Sequence, residues 1–284
     1  MNTDHIKTVG IAGSGTMGQG IAQLCATSGF NVLIYDIKID LIQKGISAIE
    51  ASLQKSVEKN KITADTKNQS LTRIKACENI QDLKADLIIE AAVEKLEIKR
   101  ELFQIIEKNT SAQTILTTNT SSIPITQIAS AIKDRSRFAG LHFFNPAPVM
   151  KLVEVIQGVD TSSETVTVLM DFSKKLGKTP VAAKDSPGFI VNRVARHYYV
   201  EALKMLEENN ADIKTIDSLL KASGFKMGAF ELMDLIGVDV NFSVTSSMFN
   251  SFHQEARFRP SRIQQQKVDA GHLGVKSGRG FYNY

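Results

Sequence analysis

The sequence predicts an α/β fold: an open, mostly parallel sheet wrapped by helices, followed by an all-helical segment. Three observations carry this. An apolar run ending at Ala12 breaks into Gly13-Ser14-Gly15-Thr16-Met17-Gly18 and then into a helix-forming stretch. Short apolar runs then alternate with helical periodicity as far as about residue 185, the pattern of strands joined by crossover helices. At Asp185-Ser186-Pro187-Gly188 the pattern changes, and only helical periodicity follows until the tail. The boundary divides the chain into residues 1–186 and 187–284.

The elements follow in order. Asn31–Asp36 is the second strand. A polar helix runs from about Ile39 to Asn60, with Ile42, Ile46, Ile49 and Leu53 at three- and four-residue spacing on its inner face. Asp86–Ala91 is a short buried strand, and a helix follows from Leu96 to Lys108. Thr114–Thr118 and Phe138–Phe144 are further strands. Asn145-Pro146-Ala147-Pro148 breaks regular structure. Val153–Ile156 and Pro180–Ala183 complete the sheet. Asp185 or Ser186 is placed to cap a long helix from Pro187 to about Asn209. Helices near 212–222 and 232–254 follow, and Gly280–Tyr282 reads as a final strand.

The glycine run has a chemical reading. Gly13 suits a tight turn, Gly15 leaves room for a pyrophosphate, and Gly18 lets the next helix pack closely on the strand. The helix start offers unpaired N–H groups to phosphates. Asp36 ends the second strand 23 residues after Gly13, where a carboxylate binds a ribose 2′-hydroxyl and disfavours a 2′-phosphate. The expected domain is therefore Rossmann-like, with NAD as cofactor.

Composition sets outer limits. In 284 residues, 43% hydrophobic and 23% charged describe an ordinary globular chain. A net charge of +4 is too weak and scattered for nucleic acid. Cys25 and Cys77 have no metal spacing, and Cys25 sits on the apolar face of the first helix as a core residue. No membrane span and no signal-like segment is evident, so a cytoplasmic protein is expected. The apolar Phe230, Met233, Leu235, Phe242 and Met248 suggest self-association through the helical domain, against the simpler reading that they pack on the first domain.

Four polar residues stand out. Ser121 follows a strand end, His142 lies inside an apolar strand, Glu154 lies in the next, and Asn192 lies in the first turns of the long helix. Ligands of open α/β sheets bind beyond the carboxyl ends of the strands, which places Ser121 and His142 on the productive edge. A buried imidazole needs a partner, and a His142–Glu154 pair would satisfy both groups. The same pair is a general base, because the carboxylate fixes the tautomer and stabilises the imidazolium. A purely structural pair fits the pattern equally well.

These residues sit in segments that resemble the L-3-hydroxyacyl-CoA dehydrogenase family, in particular its bacterial 3-hydroxybutyryl-CoA dehydrogenases. The segments are Gly13–Gly18, Asn119-Thr120-Ser121-Ser122, His142-Phe143-Phe144-Asn145-Pro146, Met150–Val155, Asp185–Arg193 and Lys276–Tyr282, spanning nearly the whole chain. The resemblance implies that His142 accepts the proton of a substrate 3-hydroxyl while Glu154 supports it, and that Ser121 and Asn192 bind the reacting oxygen and the thioester end. It also implies that Glu94, Lys99, Asn119, Asn145 and Lys276 serve the nicotinamide side, and that Ser52 and Lys59 contact coenzyme A. Those two are seven residues apart, on one helix face.

The implied activity is reversible oxidation of a short-chain L-3-hydroxyacyl-CoA, with fatty acid metabolism and β-oxidation as the setting and a homodimer as the assembly. Three alternatives stand beside it: a 3-hydroxyadipyl-CoA dehydrogenase of aromatic degradation, needing a cation such as Arg193, Arg196 or Lys226 for the distal carboxylate; a CoA-independent 3-hydroxy acid dehydrogenase; and a nucleotide-binding protein without chemistry. The sequence departs from the family at Ala229, where proline is usual, and at Arg262-Ile263-Gln264-Gln265-Gln266, which is unusually polar.

Overall fold

The computed structural model describes residues 3–284. They divide into two compact units, one ending at Ser186 and the other Pro187–Tyr284.

The first unit begins with β1 (Thr8–Ala12), α1 (Thr16–Thr27) and β2 (Asn31–Tyr35), and continues with α2 (Ile39–Glu58), α3 (Ala64–Thr72) and β3 (Ile74–Cys77). The middle of the sheet comes from β4 (Leu87–Glu90), α4 (Leu96–Asn109), β5 (Ile115–Thr118), α5 (Ile125–Ala129) and β6 (Phe138–Phe143). Then come β7 (Leu152–Gln157), α6 (Ser163–Lys175) and β8 (Thr179–Lys184). The eight strands form one sheet in the order β3-β2-β1-β4-β5-β6-β7-β8. Its first six strands run parallel in the doubly wound order, which reverses beside β1. The sheet's one departure from parallel pairing is β6 with β7.

The reason for these elements is burial on both faces. β4 and β5 are buried at every position, as strands covered by helices on two sides must be. α2 buries Ile42, Ile49 and Leu53 and turns its polar face outward. Cys25 is fully buried, and burial pushes its thiol far above the ordinary range, so it is a core residue.

Sequence periodicity overlooked β3, α3, α5 and α6. β3 exposes its two middle residues, Lys75 and Ala76, and so carries no alternation to read.

The second unit contains α7 (Val191–Glu207), α8 (Ile213–Ala222), α9 (Ala229–Ile236), α10 (Val238–Ser251) and α11 (Arg262–Asp269). Five expectations are corrected here. α7 starts at Val191 and not at Pro187, because Gly188 and Phe189 adopt left-handed backbone, with φ of 72° and 49°. Asp185 does not cap it; its carboxylate accepts the N–H groups of Ile125 and Thr126 and caps α5 instead.

The single helix expected over 232–254 is broken at Gly237, whose φ of 107° no helix accommodates. Gly280–Tyr282 is no strand. Asp234 accepts the N–H groups of Phe281 and Tyr282 and the Tyr284 hydroxyl, so a buried carboxylate holds the tail in place of a ladder. Phe230, Met233 and Met248 are interior residues of this unit, not a surface for association. No helix among the described residues is long and apolar enough to cross a membrane.

Candidate active site

Because β1, β2, β4, β5 and β6 are parallel, their carboxyl ends converge on one edge of the first unit. The three glycines at the end of β1 have three separate physical reasons. Gly13 has φ of 117°, and a Cβ there would stand 2.5 Å from the Ala91 carbonyl oxygen. A Cβ on Gly18 would land on the Gly13 carbonyl oxygen. A Cβ on Gly15 would meet nothing within 4 Å. The first two are fixed by packing, whereas Gly15 leaves space over the start of α1.

That helix start is open. Gly15 provides no side-chain cap, so the first N–H groups of α1 remain available to an anion. Asp36 stands at the end of β2. Its Oδ2 accepts from the Ser14 N–H at 2.7 Å and from the Ser14 hydroxyl at 2.7 Å, while Oδ1 accepts from the Ile37 N–H. Ser14 is buried and holds Asp36 in place; Thr16 is exposed and Met17 half-buried beside the turn. An uncapped helix, open space over Gly15 and a fixed carboxylate on the neighbouring strand fit the pyrophosphate and adenine-side ribose of NAD.

The ends of β4 and β5 carry a charged network. Glu90 is fully buried and accepts from Lys99 Nζ, the Thr118 hydroxyl and the Ala92 N–H, each at 2.6 Å. Lys99 is only 1% exposed and also lies 3.2 Å from Glu94 Oε2. Glu94 Oε1 accepts from the Thr120 hydroxyl at 2.5 Å and from the Ser121 and Ser122 N–H groups at 3.0 and 3.2 Å. Burial pushes the Glu94 carboxyl up, but Lys99, the Thr120 hydroxyl and the Ser121 N–H together hold it below its ordinary value. The network therefore orders the loop that carries Ser121.

Sequence reading named Glu94 and Lys99 but missed Glu90. The signal was present: a carboxylate closing the apolar run Leu87-Ile88-Ile89 needs a partner, the same argument that singled out Glu154.

Asn119 joins this edge to the next strand, its Oδ1 accepting from the Phe143 N–H at 2.8 Å. His142 lies one residue earlier on β6. The antiparallel register of β7 sets Glu154 directly opposite it. His142 Nδ1 is 2.8 Å from Glu154 Oε2, with the two residues 6% and 0% exposed. The imidazole also packs against Phe144, with ring centroids 4.5 Å apart. A carboxylate accepts only, so Nδ1 carries the hydrogen and Nε2 keeps a lone pair.

The remaining residues lie around this edge or in the other unit. Asn145 is exposed in the loop after β6 and, with Thr16, Ser52 and Pro148, lines a cavity of about 220 Å³. Ser52 and Lys59 line a neighbouring groove of about 450 Å³ along α2, together with Lys55 and Lys61. Asn192 and Lys276 belong to the second unit. Asn192 is in the first turn of α7, and Lys276 pairs with Asp239 at 2.6 Å.

This is a dinucleotide-binding α/β chain with a buried His–Glu pair on its nucleotide edge. Residues 8–186 match the NAD binding domain of 3-hydroxyacyl-CoA dehydrogenase, and residues 188–284 match its C-terminal domain. The chain belongs to the 3-hydroxyacyl-CoA dehydrogenase family of oxidoreductases.

It is 51% identical over 282 residues to a 3-hydroxyadipyl-CoA dehydrogenase of Escherichia coli, covering 99% of this chain and 59% of that relative's length. It is 41% identical to a probable 3-hydroxybutyryl-CoA dehydrogenase of Deinococcus radiodurans, covering 97% of this chain and 99% of the relative. A crystal structure of (S)-3-hydroxybutyryl-CoA dehydrogenase from Ralstonia eutropha matches with a TM-score of 0.95 at 41% identity, covering 98% and 99% of the two chains.

Proposed function

We propose that this chain catalyses the reversible NAD-dependent oxidation of a short-chain L-3-hydroxyacyl-CoA to the 3-ketoacyl-CoA. The observation that carries the reading is the buried His142–Glu154 pair on the edge that also holds the glycine turn. Nε2 of His142 accepts the proton of the 3-hydroxyl, and Glu154 stabilises the imidazolium so formed. In the reverse direction the same nitrogen returns the proton to a 3-keto oxygen. Ser121, held by Glu94, donates to the reacting oxygen, and Asn192 is assigned to the thioester end. Bound NAD supplies the hydride acceptor that the side chains lack.

Gly13, Gly15 and Gly18 shape its pyrophosphate site, with Ser14, Thr16 and Met17 completing the turn. Asp36 binds the adenine-side ribose. Glu94, Asn119 and Asn145 serve the nicotinamide side. Lys99 acts through Glu94, being buried itself, and Lys276 is assigned to the cofactor by family resemblance. Ser52 and Lys59 face coenzyme A, whose phosphates favour the lysines of the α2 groove.

The E. coli relative's name points to a variant of this reading, a 3-hydroxyadipyl-CoA, which differs in carrying a terminal carboxylate. β-Oxidation is the setting we infer for the shorter chains. Exposed Leu219, Phe225, Leu235 and Val240 support a homodimer formed through the second unit. Two free, buried cysteines agree with a cytoplasmic protein.

Loss of NADH absorbance with acetoacetyl-CoA tests the reading. His142→Ala should lower kcat about 10²–10⁴-fold with NADH binding kept. A native chain that reduces no 3-ketoacyl thioester overturns it, and equal turnover of free acetoacetate removes coenzyme A from the substrate.

A further inference from the structure

Lys178 is a buried cation that the chemistry above does not use. It is 8% exposed, and no carboxylate pairs with it among the described residues. A buried ammonium is costly unless its donors are bonded. Nζ donates to the Ala147 carbonyl at 2.6 Å and to the Met150 carbonyl at 2.8 Å.

Those carbonyls belong to the loop, residues 144–151, that joins β6 to β7 and so links the strand of His142 to the strand of Glu154. No backbone N–H among the described residues reaches either carbonyl. The turn inside the loop is made by Pro146, whose carbonyl accepts from the Val149 and Met150 N–H groups. Lys178 stands one residue before β8, and Thr179 pairs with Leu152, the first residue after the loop. The amine therefore reaches from the edge of the sheet into the loop and ties it down. On its other side the loop rests against α1. A Cβ on Gly20 would stand 3.2 Å from the Ala147 Cβ and 3.3 Å from Pro148 Cδ, tighter than ordinary contact.

The loop held in this way is a wall. Asn145–Val149 form one side of the cavity of about 220 Å³, with Gln23 of α1 and Ser56 of α2 also lining it. Ala48, Ser52 and Ser56 line both this cavity and the lysine groove of about 450 Å³, so the two spaces adjoin. Together they make a passage from Lys55 and Lys59 on α2 to Asn145, three residues beyond His142. Its lining is mixed. Pro148 and Val149 are apolar, and Val149 is 64% exposed. The Ser56 hydroxyl donates to the Ser52 carbonyl at 3.0 Å and keeps its lone pairs for an N–H. Gln23 adds a carboxamide. Aliphatic carbon interrupted by amides matches such a lining, and that is the chemistry of the pantetheine arm joining the nucleotide of coenzyme A to its thioester.

We propose that Lys178 is a positioning residue for the thioester substrate: it holds Asn145–Met150 as the wall of the passage that the pantetheine arm takes. A wall fixed in advance spares the ordering that binding would otherwise cost. This inference rests on the dehydrogenase reading and on coenzyme A lying along α2, and the experiment separates it from the first.

Reduction of acetoacetyl-CoA and of acetoacetyl-N-acetylcysteamine by NADH is compared in the native chain, K178M and G20A. The short thioester keeps the reacting end but lacks the nucleotide and most of the arm. The native chain should favour the CoA thioester in kcat/KM. K178M should lower the ratio of the two kcat/KM values about tenfold or more, through KM for acetoacetyl-CoA, with NADH binding kept. An equal loss on both thioesters, a loss carried by kcat alone, or NADH binding lost in step would show a merely structural lysine and overturn the proposal. Should K178M fail to fold, G20A decides the matter. Alanine suits a helix better than glycine, and its Cβ presses on the loop from the α1 side. G20A should lower the same ratio about threefold or more, and an unchanged ratio overturns the wall. A native chain that does not prefer the CoA thioester overturns the passage and leaves the dehydrogenase reading standing. Turnover of neither thioester overturns the dehydrogenase reading itself.

Discussion

Replacing Glu154 by glutamine removes one charge from the buried pair and almost no volume. The carboxylate oxygen lies 2.8 Å from His142 Nδ1, and Glu154 is fully buried, so water cannot compensate for the loss. A hydrogen bond to a charged group contributes about 1.5–3 kcal/mol against about 0.5–1.5 for a neutral one, so weakening the bond alone costs about 1–2 kcal/mol. The proton transfer places a positive charge on the ring about 4 Å from the centre of the lost negative charge. At an effective dielectric constant of 20 that attraction is about 4 kcal/mol.

The transition state, carrying part of the imidazolium charge, should lose about 2–4 kcal/mol, or about 30–1,000-fold in kcat. An amide that donates to Nδ1 would also select the wrong tautomer and deepen the loss. Steady-state oxidation of NADH by acetoacetyl-CoA measures kcat, and NADH fluorescence measures cofactor binding, which should change little. A kcat within threefold of the native value, with NADH bound normally, would refute the role given to Glu154.

Asp36→Ala removes the carboxylate that Ser14 holds in place, so NADH should bind about tenfold or more weaker while NADPH gains; titration of both cofactors checks this, and two unchanged affinities would remove Asp36 from the ribose site. Gly18→Ala drives a Cβ into the Gly13 carbonyl and should cost about 1–3 kcal/mol, read as a lower Tm together with weaker NADH binding. An unchanged Tm would contradict the close packing of α1 on β1. Glu94 is held below its ordinary value of 4.5 in the folded chain, so its stabilisation is complete above that pH and is lost as the pH falls through the folded value. Glu94→Gln should therefore lower Tm at neutral pH and flatten its decline in acid, whereas parallel Tm–pH curves would show that the carboxylate does not anchor the Ser121 loop.

What could be read in advance was local. The glycine turn, the strand–helix alternation and the acid at the end of β2 each depend on neighbouring residues, and burial on two faces makes β4 to β7 visible as apolar runs. Gly237 shows the limit of such reading. Apolar periodicity continues across it, but its left-handed backbone divides the expected helix into α9 and α10. Asp185 looked like a cap for the helix next in sequence and instead caps α5, 60 residues earlier in the chain, because a carboxylate binds whichever N–H groups the fold brings to it.

The sequence by itself determined the doubly wound unit, its cofactor edge and the residue types of the chemistry, since these follow from short-range periodicity and from the cost of burying an isolated His142 or Glu154. Only the tertiary structure decided which groups meet. It supplied the antiparallel turn of β7 that sets Glu154 against His142, the Glu90–Lys99–Glu94 network beneath Ser121, and the pairing of β8 with β7 that brings Lys178 to the Ala147 and Met150 carbonyls. The physical reason is the same in each case: a buried charge selects its partner by distance in space, and periodicity along the chain does not record that distance.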